Sequence, residues 1–354
     1  MVGRLSKAQR AERAFACAFA AATLALAACS RPEAVNTPTA GFGTAFRAME
    51  PLSAEPVSIR YKAADTPRTA QGYRLFSTAR FFGGLSDLRA IDASGGYLAV
   101  SDRGRMIAFM PPAKAANAPL APGGAQDILS LDAFERQLMG ETGETLSGAR
   151  GDAEGLAVCA VNGETAFLVS FERDHRIDMY AADDVSAPAA RFPNPPRTDD
   201  LKFNSGLEAL ACRSDGMIIA ISEDAPKGED APRASILRDG AWTERPYPRT
   251  KPFAPTAAAF LPNGDMLVLE RGYFGGVRVE AKLRLIESAA LDAPSGPLTG
   301  PQVAHFDRFS GVDNSEGLAF IGGRTPMMAI ISDDNFNPLQ RTLLIEIPLA
   351  DLGL

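Results

Sequence analysis

The 354-residue chain reads as an all-β protein, a β-propeller of six blades behind a lipoprotein signal and a flexible tether. Three observations lead there: a strand-turn-strand unit recurs along the chain, helical periodicity is scarce, and the first 29 residues differ in composition from the rest. An apolar fraction of 46% suffices for one large core, and all-β rings of this length are commonly a single domain.

At the amino terminus, Arg4, Lys7, Arg10 and Arg13 precede an apolar run from Ala14 to Ala25 that ends at Leu26-Ala27-Ala28-Cys29. A basic stretch followed by a short apolar one is an export signal, too short to span a bilayer. The closing quartet resembles the processing box of bacterial lipoproteins, so residues 1–28 are expected to be removed and Cys29 to carry lipid. Ser30 rather than aspartate after it points to the periplasmic side of the outer membrane. Processing removes four basic residues and Glu12, which leaves 32 basic and 42 acidic residues and a formal net charge of −10. Such a surface argues against nucleic acid and for cations or neutral ligands. The thiols then left are Cys159 and Cys212, each near the end of an apolar run; a disulfide between them and two buried thiols are both open.

From residue 29 to Pro56 the chain is rich in Pro, Ala and Thr and reads as the tether, with a propeller domain over 57–354. That domain opens with Val57-Ser-Ile-Arg-Tyr61 and Tyr73-Arg-Leu-Phe76. Repeats follow. The first pairs Gly84-Leu-Ser-Asp-Leu88 with Tyr97-Leu-Ala-Val-Ser-Asp-Arg-Gly104, and the second Asp152-Ala-Glu-Gly-Leu-Ala-Val158 with Ala166-Phe-Leu-Val-Ser-Phe-Glu-Arg173. The third pairs Ser205-Gly-Leu-Glu-Ala-Leu210 with Met217-Ile-Ile-Ala-Ile-Ser-Glu-Asp224, and the fourth Pro255-Thr-Ala-Ala-Ala-Phe260 with Asp265-Met-Leu-Val-Leu-Glu-Arg271. The fifth runs from Asn314 to Asn335. Steps of 69, 52, 47 and 63 residues between equivalent positions fit propeller blades with loop insertions. Asp127 to Arg136, inside the longest step, is expected to be a short helix or extra loop. A sixth blade would be assembled from the strands near residues 57–76 and the closing run Thr342-Leu-Leu-Ile-Glu-Ile347, pairing the chain ends.

Each unit except the fourth, which has Thr256 there, puts one carboxylate at the start of its first strand, and each puts one near the end of its second. Antiparallel strands return both to one mouth of the channel. Asp87, Glu154, Glu208 and Glu316 are expected to form an inner ring, and Asp102, Glu172, Glu223, Asp224, Glu270, Asp333 and Asp334 a wider one. So many like charges need cations, arginines or shared protons. Arg103, Arg173 and Arg271 directly follow acids of the wider ring. Oxygen ligands in this number suit Ca²⁺ or a related hard cation, with Asp87, Glu154, Glu208, Glu316, Asp333 and Asp334 as its candidate ligands. Asp102, Arg103, Glu172, Arg173, His175 and Arg271 are the candidate catalytic groups.

Other chemistries find no footing. His175 and His305 are too few for a three-histidine zinc site. There is no nucleophile elbow, phosphate-binding glycine loop, His-Glu-x-x-His or Cys-x-x-Cys. In Asp333-Asp-Asn-Phe-Asn337 the following Pro338 stands where an EF-hand needs glycine.

Phe82-Gly-Gly-Leu-Ser-Asp87 with Ala99-Val-Ser-Asp-Arg-Gly104, Asp152-Ala-Glu-Gly-Leu156 with Val169-Ser-Phe-Glu-Arg173, Asn314-Ser-Glu-Gly-Leu318, and Ser332-Asp-Asp-Asn-Phe336 through Gln340-Arg-Thr-Leu-Leu344 resemble the bacterial "esterase-like activity of phytase" family. The resemblance implies a secreted or periplasmic propeller with esterase or phosphoesterase activity. The fourth repeat departs from it with Thr256-Ala257-Ala258 where its neighbours carry an acid. The expectation is therefore an envelope-anchored, monomeric hydrolase of small phosphate or carboxylic esters. The competing reading is a non-catalytic lipoprotein that uses the propeller as a binding platform with a structural calcium ion; lactonase or sugar dehydrogenase chemistry is a third.

Overall fold

Five antiparallel units follow one another along the chain. Their first strands, Leu85–Ala90, Ala153–Val161, Leu207–Cys212, Phe253–Phe260 and Asn314–Ile321, stand side by side as a closed ring. The computed structural model describes residues 46–91, 96–110, 128–275 and 278–354. The expected signal 1–28, the expected lipidation site Cys29 and the tether as far as residue 45 lie outside the described residues.

Each first strand is followed outward by its partners. Blade one continues through Tyr97–Ser101, Arg105–Phe109 and Ala133–Gln137, and blade two through Glu164–Phe171, Arg176–Ala181 and Ala190–Phe192. Blade three has Ile218–Ser222, Arg233–Arg238 and Ala241–Pro246, and blade four has Met266–Tyr273, Val279–Ile286 and Gln302–Phe306. Blade five has Met327–Asp333, Thr342–Pro348 and the amino-terminal strand Thr66–Phe76, which pairs with the carboxy-terminal one from Thr342↔Leu75 to Glu346↔Gln71. A further strand, Leu52–Ala63, lies outside it and also touches blade four through Lys62↔His305 and Ala63↔Ala304.

The core explains why the ring closes. Side chains alternate across a strand, and here both faces are covered, so each strand feeds two interblade layers. Tyr97 and Ala99 pack toward blade five with Leu75, Ile331 and Leu344, while Leu98 and Val100 pack toward blade two with Leu156, Val169 and Phe171. Equivalent layers join blades two and three around Leu168, Ile177, Leu210 and Ile218, three and four around Ile221 and Val268, and four and five around Leu283 and Ile345. Fully burying each such side chain contributes about 1.5–3 kcal/mol.

Three expectations are corrected. The strands near residues 57–76 and the run Thr342 to Ile347 do not make a sixth blade; they complete the fifth, and five first strands already touch around the ring. The propeller also begins before residue 57, because Leu52 and Ala54 are fully buried in the strand Leu52–Ala63. Ile128 to Gln137 is not helical. It forms the strands Leu129–Leu131 and Ala133–Gln137, with Leu131 and Ala133 buried on either side of exposed Asp132, the period of a strand. No helix among the described residues is long and apolar enough to cross a membrane.

Candidate functional site

A β-bulge at the same place in every blade builds the site. In blade two Ala153 pairs with Phe171 and Gly155 with Ser170, which leaves Glu154 as the extra residue. The same reading of register leaves Ser86, Glu208, Thr256 and Glu316 unpaired in blades one, three, four and five. A bulge re-aims the side chain of its extra residue, and five of them at the strand starts form an inner ring of Ser86, Glu154, Glu208, Thr256 and Glu316. On each second strand the residue that follows the pair flanking the bulge forms the outer ring: Asp102, Glu172, Glu223, Arg271 and Asp333.

Two expected ring members fall elsewhere for reasons of register. Asp87 is one residue past its bulge, so it turns into the ring's interior rather than to the mouth. It is fully buried; its carboxylate accepts the backbone N–H groups of Leu88 (2.7 Å), Leu156 of blade two (2.8 Å) and Leu318 of blade five (3.3 Å), and pairs with Arg89 at 2.8 Å. Arg89 donates onward to the carbonyls of Leu210, Leu318 (2.7 Å) and Ala258 (3.1 Å). One ion pair thus ties all five first strands together, and sequence reading missed Arg89 because nothing in its neighbours marks it. Burial pushes Asp87 up to about 6 against the pull of Arg89 and those N–H groups. With its lone pairs occupied, Asp87 is no metal ligand. Glu270 likewise precedes the outer-ring position. It is 1% exposed and held by Tyr247 Oη at 2.8 Å and Arg284 Nε at 2.8 Å.

At the mouth itself, Asp152, Glu154 and Glu172 each offer an oxygen within 4.8 Å of the others. No hydrogen-bond donor among the described residues reaches the Glu154 carboxylate. Burial first, then the charges of Glu208, Asp152, Glu172 and Asp333, push Glu154 well above the usual carboxylate range. Burial and Asp152 raise Glu172 to about 7 in spite of Arg173. Burial and Glu223 raise Glu208 strongly. Asp152, outside both rings, was not among the expected site residues; its place two positions before a ring carboxylate is the signal that could have found it. Arg173 approaches Asp152 Oδ2 to 2.9 Å without hydrogen-bond alignment.

Beside this cluster, in blade one, burial and the charges of Asp152 and Asp334 bring Asp102 to about 6, and its buried Oδ1 has no hydrogen-bond partner among the described residues. It lies against Gly84, whose φ of +61° suits glycine and where a Cβ would stand 2.3 Å from that oxygen. Burial raises Asp333 to about 7, although Asn335 N–H donates to it at 2.7 Å.

The remaining expected residues are already engaged. Arg271 pairs with Glu316 and with Glu223 at 2.8 Å, and donates to Asn314 Oδ1 at 2.9 Å; Glu316 also accepts from Asn314 at 2.9 Å. Asp334 Oδ1 accepts the N–H groups of Gly84 and Phe336, both at 3.0 Å, and so ties blade five to blade one. Asp224 is held by Arg249 and by Lys202 at 2.7 Å. Arg103 stacks on Phe336, 3.1 Å from the ring centre. His175 Nε2 lies 2.9 Å from the Lys202 carbonyl, in a turn between the second and third strands of blade two. Cys159 and Cys212 are both free thiols.

No curated protein matches the chain. Among solved structures, a luciferin-regenerating enzyme is 10% identical with a TM-score of 0.42, over 83% of this chain and 96% of that one. A protein of unknown function from Dyadobacter fermentans is 12% identical with a TM-score of 0.40, over 86% and 99%. A nidogen/laminin complex is 12% identical with a TM-score of 0.38, over 80% and 88%. The phytase-like family, described as esterase-like activity of phytase, matches residues 80–336, most of the chain. That span contains all five bulged first strands and both rings, and the chain belongs to this phytase-like family.

Proposed function

We propose that the mouth holds a hard divalent cation of the Ca²⁺ type on Asp152, Glu154 and Glu172, and that the protein there hydrolyses small phosphate or carboxylic esters. The observation that carries this reading is the convergence of those three carboxylates within 4.8 Å, with no donor to Glu154 among the described residues. Like charges brought this close out of water are compensated by protons or by a cation, and carboxylate oxygens in this number suit a hard one. When bound, such an ion supplies Lewis-acid polarisation of an ester oxygen and a more acidic water.

The chain's own groups do the rest. Asp333, raised to about 7, is placed to accept a proton near neutral pH. Arg173, 39% exposed among Asp152, Glu172 and Asn204, supplies a positive charge beside the carboxylates for an anionic substrate group. The bulge holds Glu154 on its strand, with Asp152 one residue before that strand and Glu172 one residue past the end of the next, so the ligand set is placed by paired backbone before substrate arrives. Membership of the phytase-like family supports ester chemistry. Cys29 carries the lipid anchor in this reading and places the propeller on the periplasmic side of the outer membrane, as a monomer.

The competing reading, a binding platform with a structural ion, draws on one observation: Arg271 already neutralises Glu223 and Glu316, so part of the mouth is closed architecture. A screen of aryl phosphates and aryl esters with Ca²⁺, Mg²⁺ and Mn²⁺ separates the two. Cation-dependent turnover that falls about 100-fold or more in Glu154→Gln and Glu172→Gln is expected. Thermal stabilisation by Ca²⁺ without turnover on any substrate leaves the platform, and no response to any cation removes the site.

A further inference from the structure

We propose that Cys159 and Cys212 are a disulfide-forming pair that staples blade two to blade three when the protein meets an oxidising small-molecule disulfide. Cys159 lies on the first strand of blade two and Cys212 on the first strand of blade three, which are neighbours in the ring. Both belong to the one apolar layer between these blades. Burial first, with Cys212 beside it, pushes the Cys159 thiol well above its ordinary value, and the Cys212 thiol donates to the Arg213 carbonyl at 3.8 Å.

The backbones run close enough for a bridge. A Cβ at Gly155 would stand 2.6 Å from the Glu208 carbonyl and 2.9 Å from Leu210 Cβ. The two strands therefore approach at a contact that glycine alone permits, four residues before Cys159 and four before Cys212 respectively. A disulfide needs Cα atoms roughly 4.4–6.8 Å apart, and the bridge is proposed on adjoining strands whose two thiols share one layer.

The order of reaction follows from exposure. Cys212 is half-buried and Cys159 is 3% exposed. The Cys212 thiol loses its proton and attacks one sulfur of the external disulfide; a mixed disulfide forms and the first small thiolate leaves. Cys159 then gives up its proton and attacks the Cys212 sulfur, which expels the second small thiolate. The external disulfide is reduced to two thiols by the two electrons the protein thiols surrender.

The bridge would join the strands that carry Glu154 and Glu208, at their ends away from the bulges. It fixes the spacing of blades two and three without touching a carboxylate. A bridge over a loop of this length restricts the unfolded chain, and a Tm rise of roughly 5 °C is expected.

The test uses the full chain with Cys17→Ser and Cys29→Ser, incubated with oxidised glutathione, then blocked with a maleimide under denaturing conditions and digested. The expected result is a peptide cross-link between residues 159 and 212, a Tm gain reversed by dithiothreitol, and trapping of glutathione on Cys212 in the Cys159→Ser variant. Two outcomes overturn the proposal: both thiols still titrating after oxidation, or glutathione retained on Cys212 while Cys159 stays free. The Cys159→Ser and Cys212→Ser proteins must keep the Tm of the reduced parent to within a few degrees for the comparison of Tm values to count against it; the cross-link measurement stands without them.

Discussion

Asp87 and Glu154 are both acids at the head of a propeller strand, and they do opposite things. Asp87 has three backbone N–H groups and Arg89 on its oxygens. Glu154 has neighbouring carboxylates and, among the described residues, no donor. Burial raises both, so burial alone does not distinguish structure from site; the partners do. A buried acid whose lone pairs are filled holds the fold together, whereas one left short of donors stores a demand for a proton or a cation.

Removing one side of the central pair gives the largest effect. Arg89→Met leaves Asp87 buried without its counter-ion and is expected to cost about 3–5 kcal/mol in urea unfolding. A loss below about 1 kcal/mol would erase the distinction drawn between the two acids. Glu154→Gln, in contrast, relieves repulsion: the cation-free protein should keep its stability or gain about 1 kcal/mol, and it should lose its Ca²⁺-dependent rise in Tm.

Next in size is the response to pH. Glu172 and Asp333 keep their protons to about pH 7 in the folded chain, against roughly 4 in the unfolded one. The folded state therefore binds more protons across that interval. Their contribution to stability is full below about pH 4 and is lost as pH rises through 7. The Tm of cation-free protein should fall by roughly 5 °C between pH 5 and pH 8, and saturating Ca²⁺ should flatten the slope. A cation-free Tm that rises over this range would contradict the unpaired state of the mouth.

Smaller effects lie outward. Thr256, the bulge residue of blade four, donates to the Ser315 carbonyl at 3.1 Å, so Thr256→Val should cost about 1 kcal/mol and leave cation binding unchanged. At the rim, Lys202 is 65% exposed in its pair with Asp224; Lys202→Ala should change unfolding free energy by no more than about 0.5 kcal/mol.

Much of the fold was legible. Alternating apolar runs, glycine turns and an acid at the strand start of four of them marked five repeats, because each blade must bury both faces and turn tightly at fixed intervals. The blade count was not. The amino-terminal strands resemble a blade in composition, yet backbone pairing placed Thr66–Phe76 beside Thr342–Pro348. The site was legible by residue type and blurred by register: Glu154, Glu172, Glu208 and Asp333 reach the mouth, whereas Asp87 and Glu270 miss it by one residue, which in a strand reverses the side chain.

The sequence by itself determined the strand content, the repeat and the presence of acids at one end of each blade, since those follow from local pattern and turn chemistry. Only the tertiary structure decided which acids are satisfied. That depends on where each bulge falls and on what the neighbouring blade presents: Leu156 and Leu318 N–H groups to Asp87, Arg271 to Glu316, and a second and third carboxylate to Glu154. Leu156 and Leu318 lie 69 and 231 residues from Asp87, and such partners meet only when the ring closes.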